Sequence, residues 1–200
     1  MTTKVLDYFS ALVADDDSIP LTETALSIAQ DAYPDLDLQA ELAAIDVLVA
    51  RIKNRIAEGT PAIQRLRLLN QFFYRELGFG PNANDYYDPE NSYLNAVLQS
   101  RRGIPISLAV LLMEIGQQIG LPLKGVSFPN HFLVRMSIPA GEVVLDPLTG
   151  QTLSKEELQD MLDPYLEKEG IEDPNSVPLG VFLQVATHRE IIARMLRNLK

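Results

Sequence analysis

The sequence predicts a mixed helical and antiparallel-sheet domain of the α+β class. Three observations carry this prediction. Apolar residues recur at helical spacing over most of the first 120 residues. After Gly120 the pattern changes to the alternation of strands, with Pro139-Ala140-Gly141 as a hairpin turn. The chain is 200 residues long, 46% apolar and 22% charged, which suffices to bury a core without covalent staples.

Val5, Leu6, Phe9, Leu12 and Val13 give an amphipathic first helix that stops near Asp15-Asp16-Asp17. A second helix over 20–33 is ended by Pro34, because the residue before a proline is disfavoured in helical geometry. Asp35 or Asp37 caps a third helix, whose stripe of Leu38, Leu42, Ile45, Leu48, Val49, Ile52 and Ile56 closes at Gly59. Thr60 as cap and Pro61 at the first helical position start a fourth, carrying Leu66, Leu69, Phe72, Phe73 and Leu77 to Gly78.

Residues 79–90 have the composition of a loop, with Gly80-Pro81-Asn82 followed by Asn84, Asp85, Tyr86, Tyr87, Asp88 and Pro89. Loops on a rigid scaffold commonly carry function, whereas Asp and Asn also simply cap turns. Asp85, Asp88 and Glu90 do not match the spacing of a calcium loop, so no metal is expected. A short helix over 91–100 leads through Arg101 and Arg102 to Gly103. The run 104–119 is then so apolar that its helix must be buried on most sides. Pro105 suits its first turn, where a missing N–H costs nothing, and Gly120 suits its end.

Strands are expected at 124–128, 131–138 and 142–145. Ser154 and Glu157 form a capping box for a helix through Lys168, with Asp163-Pro164 as a candidate break. A proline-containing connection then leads to a final amphipathic helix over 179–200, whose late residues Arg189, Arg194, Arg197 and Lys200 are basic. A basic helix on an acidic domain suggests docking in cis or to a partner; the plain alternative is cations favoured near a helix C-terminus. His188 reads as a surface residue. The domain organisation expected is a helical part over 1–60 packed on a core over 61–170, followed by a linker and helix over 171–200.

The chemistry concentrates on His131 and Asp146. Residues equidistant from a hairpin turn pair across it, and these two lie within about two residues of that symmetry. A histidine with a carboxylate on the next strand is the base and orienter of a nucleophilic triad. The nucleophile belongs at the start of the preceding helix, which here reads Gly103-Ile104-Pro105-Ile106-Ser107, in a chain without cysteine.

The order Gly103, Pro105, Ala109, then His131, then Asp146 resembles the transglutaminase-like (papain-like) fold, whose members use Cys, His and Asp in that order. YYDPENSYLNAVLQSRRGIPISLAVLL with FPNHFLVR and LDPLTG resembles, over residues 66–153, the bacterial family named after the invasion regulator SirB. That family has an N-terminal transglutaminase-like domain, often followed by tetratricopeptide helices, so the helix at 179–200 would stand where that region begins. The resemblance places Pro105 at the cysteine position, beside His131 and Asp146.

Three readings follow. In the first, the site is a relic and the domain works through protein contacts, in a regulatory or accessory role. In the second, Ser107, His131 and Asp146 form a serine hydrolase or acyltransferase; but two residues along a helix rotate a side chain by about 200°, nearly to the opposite face. Ser107 on that face would bond a backbone carbonyl or cap the helix. In the third, His131 and Asp146 only brace the sheet. The residues expected to line a binding cleft are Tyr86, Tyr87, Asn91, Asn95, Arg102 and Asn130, with Arg102 able to hold a carboxylate.

The net charge of −10, with Lys4 the only base before Arg51, makes nucleic acid a poor partner, since phosphates need clustered Lys and Arg. The absence of cysteine excludes disulfides, thiolate zinc and thiol catalysis. No membrane span, signal peptide or cofactor is expected, and a cytoplasmic location with a protein or peptide partner is.

Overall fold

The computed structural model describes residues 3–85, 87–139, 141–171 and 176–199. Helices α1 (Thr3–Leu12), α2 (Leu21–Ala29) and α3 (Leu38–Lys53) open the chain. Asp37 is the cap of α3, accepting from the N–H groups of Gln39 and Ala40 at 3.0 and 3.1 Å. Helix α4 (Ala62–Asn70) continues into a wider π turn at Gln71–Glu76, a feature without a periodicity signal, which buries Phe72 and Phe73. Thr60 is not its cap: that place falls to Pro61, and the Thr60 hydroxyl donates back to Ala57 O at 2.7 Å.

Strand β1 (Gly80–Pro81), helix α5 (Leu94–Ser100) and strand β2 (Arg102–Gly103) follow. β1 and β2 pair in parallel, Gly80 opposite Arg102, inside a stretch whose composition reads as loop. Such a two-residue contact is too short to leave an alternation. Helix α6 (Pro105–Gln118) is the axis of the molecule, with ten of its 14 residues buried. Leu108, Leu111, Leu112 and Ile115 are fully enclosed, each stabilising the fold by about 1.5–3 kcal/mol.

Strands β3 (Lys124–Val126), β4 (Leu133–Ile138) and β5 (Gly141–Leu145) form an antiparallel sheet in that order. The register sets Val134 against Leu145 and Ile138 against Gly141; Ala140, in the expected turn, lies outside the described residues. β3 is shorter than expected and His131 is not on a strand. The N–H of Phe128 donates to Val126 O at 2.9 Å and that of His131 to Phe128 O at 3.0 Å, which turns the chain before β4 starts.

Helix α7 (Lys155–Lys168) begins with the Ser154–Glu157 capping box and runs through Pro164 unbroken. The bond that proline removes is outweighed by burial of Leu158, Leu162 and Leu166 on one stripe. The last segment is two helices rather than one, α8 (Leu179–Phe182) and α9 (His188–Asn198). Between them Val185 bridges to Val126 and the Ala186 N–H donates to Gly125 O at 2.9 Å, so the β3 edge captures the chain. Helix α9 then docks in cis, with Ile191, Ile192 and Met195 in the main core and Arg189 paired with Asp16. His188 is half-buried, its Nδ1 2.7 Å from Ile19 O, and not a surface residue.

The sheet is covered on both faces. Val134, Met136 and Leu145 join the main core around α6, which also takes in α2, α3 and α9, while Leu133 and Val144 join Leu158, Leu162 and Leu166 of α7. Among the described residues no helix is long and apolar enough to cross a membrane.

Candidate functional site

The start of α6 lies at a cleft of about 490 Å³. Pro105 and His131 both line it, together with Tyr87, Asn130, Phe132 and Arg194. Pro105 begins the helix without an N–H to satisfy, and Ile104 precedes it in extended geometry. His131 is presented by the turn after Phe128, next to Asn130, whose φ of 57° is one of the few left-handed conformations outside glycine and suits asparagine.

Ser107 points elsewhere. It is 0% exposed, its hydroxyl donates to Asn91 O at 2.7 Å, and its oxygen accepts the Ile104 N–H at 3.1 Å. This bonding fastens the helix start to the loop before α5. Gly103 is needed for it: a Cβ there would lie 2.7 Å from the Ser107 oxygen. The hydroxyl therefore has no path to the cleft that His131 lines.

Asp146 is also committed elsewhere. Its carboxylate accepts the Leu148 N–H at 2.9 Å and the Thr149 hydroxyl at 3.1 Å, and its backbone N–H donates to Gln151 O at 2.9 Å. This is an aspartate closing its own turn. Asn70 Nδ2 reaches Gly150 O at 2.8 Å and the Tyr74 hydroxyl reaches Pro147 O at 2.9 Å, so the π segment clamps the turn. Gly150, at φ +73°, lies under the Tyr74 ring, where a Cβ would come within 2.3 Å. Burial, and secondarily the Asp146 charge, push the Tyr74 phenol well above the usual tyrosine range. Among the described residues the His131 side chain has no hydrogen bond or ion pair, to Asp146 or any other group.

The other sequence-selected residues divide. Tyr87, 91% exposed, and Asn130 line the cleft, whereas Tyr86 lies outside the described residues. Asn91 is 2% exposed and ties the loop together: its Nδ2 donates to Asp85 O at 2.7 Å and its Oδ1 accepts from Asn82 at 3.1 Å. Asn95, on α5, is not in the cleft wall, and its Oδ1 is buried without a partner among the described residues. Arg102 turns away from the cleft, donating to Gly78 O at 2.6 Å and Arg101 O at 3.1 Å.

The cation at the cleft is Arg194. In the sequence it is one of several basic residues on the last helix. Its position one residue before the buried Met195 puts it at the edge of the apolar stripe, a signal of partial burial that charge alone does not give. Among the described residues no group of three or more His, Asp or Glu side chains is placed to hold a metal ion. The cleft thus offers the His131 imidazole, the Arg194 guanidinium, the carboxamides of Asn130 and Asn198, Asp88, Ser92 and apolar walls: groups that can hydrogen-bond a ligand, and no thiol.

The profile of the transglutaminase-like superfamily matches residues 39–197. A UPF0162 protein of Xylella fastidiosa (strain 9a5c) is 41% identical over 191 residues, covering 95% of this chain and 67% of that relative. The UPF0162 protein YchA of Escherichia coli (strain K12) is 30% identical over 169 residues, covering 84% of this chain and 60% of the relative. F-box only protein 21 of Mus musculus is 32% identical over 166 residues, which are 72% of this chain but 26% of that much longer protein. The chain therefore spans about two thirds or less of the length of these curated relatives. No solved structure matches it. With this coverage and identity, the chain belongs to the transglutaminase-like superfamily and, within it, to the UPF0162 proteins.

Proposed function

We propose that this is a non-catalytic transglutaminase-like domain that works as a protein-interaction module, binding a polypeptide in the cleft lined by Pro105 and His131. The observation that carries the reading is that those two residues line one cleft, while Ser107, the serine two residues after Pro105, is sealed in the core. Acyl transfer here would need a nucleophile whose proton His131 could take. Proline offers none, and a chain without cysteine cannot supply a thiol. Asp146, fixed in its own turn, supports the same reading. The matching region makes up 26% of F-box only protein 21, which is how a module carried within a larger protein would look. A regulatory role in the cytoplasm, and the SirB-type arrangement with tetratricopeptide helices in the longer relatives, belong to this proposal.

The test has two arms. The domain and its His131→Ala variant are offered an activated ester, and a glutamine peptide with a primary amine. Equal background in both is expected, and turnover that vanishes in the variant would overturn the non-catalytic reading. Short random peptides are also selected for binding. Their affinity is expected to drop about tenfold in His131→Ala. Binders indifferent to both His131→Ala and Tyr87→Ala would place the interaction outside the cleft.

A further inference from the structure

Two clefts meet at Arg194. The first is the 490 Å³ cleft of Pro105 and His131; the second, of about 650 Å³, runs along Phe128, Phe182 and Val185. Arg194, Asn130 and Asn198 form part of the wall of both. The guanidinium lies over the Phe132 ring, 5.6 Å from its centre, and its hydrogen bond to Phe128 O is long, at 3.4 Å. A guanidinium has five N–H donors, so most of its capacity is unused by the described residues.

The nearby carboxylates do not answer it. Asp88 accepts the Glu90 N–H at 2.9 Å, and Glu190, one turn before Arg194, accepts from the Thr187 N–H and hydroxyl at 2.7 and 3.0 Å. Arg55, Arg135 and Arg189 each pair with an acid, whereas among the described residues no acid lies within ion-pair reach of Arg194. Burial, and then the neighbouring Arg197, lower its pKa from the usual arginine range. Leaving a half-buried cation unpaired is unfavourable, and in a chain with 27 acids against 17 Lys and Arg it did not have to be so. The rims are apolar as well: of the seven exposed large apolar side chains among the described residues, Tyr87, Val181 and Val185 border these two clefts.

We propose that the two clefts form one groove for an extended acidic peptide, whose Asp or Glu carboxylate is clasped by Arg194 between flanking apolar residues. One flank packs towards Pro105 and Phe132 and the other towards Phe182 and Val185, while the amides of Asn130 and Asn198 face the peptide backbone. Arg197, on the second cleft, adds positive charge. The bidentate fork of arginine suits a carboxylate, and a groove continuing past the cation on both sides suits a chain rather than a free anion. This inference rests on the peptide-binding reading above and names the chemistry it selects.

The experiment uses the whole chain and two pools of labelled peptides, apolar residues around a central Glu and the same pool with Gln, measured by fluorescence anisotropy. The Glu pool is expected to bind about tenfold or more tightly, with the preference absent in Arg194→Met and weakened in Arg194→Lys. The Glu-against-Gln comparison needs no variant, and the lysine variant keeps stem and charge if the methionine variant fails to fold. Pools that bind equally, with binding lost in His131→Ala, would overturn the acidic selectivity and leave the cleft as a peptide site. A Glu preference surviving in Arg194→Met would place acid recognition elsewhere and overturn the inference. Binding of neither pool would overturn both readings.

Discussion

His131 and Asp146 stand near the same end of one hairpin, yet opposite forces hold them. Asp146 is fixed by its own neighbours: its carboxylate takes two bonds inside the turn, and Asn70 and Tyr74 clamp the turn from outside. His131 is positioned only through its backbone, and its side chain faces a cleft without a hydrogen-bond partner among the described residues. Residues that keep the order of a catalytic site need not keep its pairing. A carboxylate satisfied locally becomes a structural part, while an imidazole without a partner stays available to a ligand.

The largest effect should come from breaking the clamped side. Gly150→Val places a Cβ against the Tyr74 ring at a left-handed φ, and a loss of about 3 kcal/mol is expected in urea denaturation. A loss below about 1 kcal/mol would mean that the ring swings aside and the turn is not held as described. Next comes Ser107→Ala, which removes a fully buried hydrogen bond and should cost about 2 kcal/mol without altering any background ester hydrolysis. Hydrolysis that falls with the serine would return Ser107 to candidacy as a nucleophile.

Tyr74→Phe should cost about 1 kcal/mol near neutral pH, through the lost bond to Pro147 O. It also carries a pH signature. The folded-state pKa of Tyr74 is raised, so its contribution is complete below the ordinary tyrosine value of about 10 and is lost as pH rises towards the folded value. Wild-type stability is therefore expected to fall more steeply above pH about 10 than that of Tyr74→Phe. Parallel curves in denaturant titrations across that range would contradict the burial of the phenol. The smallest effect is a coupling: a double-mutant cycle of His131→Ala and Asp146→Ala should give less than about 0.5 kcal/mol, and a value above about 1 would restore the pair.

Much of the fold is legible in the residues because its signals are local. The apolar run between Pro105 and Gly120 fixes α6, alternation after Gly120 fixes the β4–β5 hairpin, and Ser154 with Glu157 fixes the start of α7. Each rests on hydrogen bonds or periodicity within a few residues. The π turn in α4, the helix running through Pro164 and the split of the last helix at Val185 carry no such signal. They follow from what packs against each segment: the core, the buried leucines of α7 and the edge of β3. The site divides in the same way. The absence of a thiol and the proline at the helix start are properties of the sequence by itself. That Ser107 faces inward, that Asp146 keeps to its turn, and that Arg194 from the end of the chain reaches the cleft of Pro105 and His131 were decided by the tertiary structure. Partners so distant along the chain are chosen by whichever packing buries the most apolar surface while satisfying the polar groups enclosed with it, and no local pattern encodes that choice.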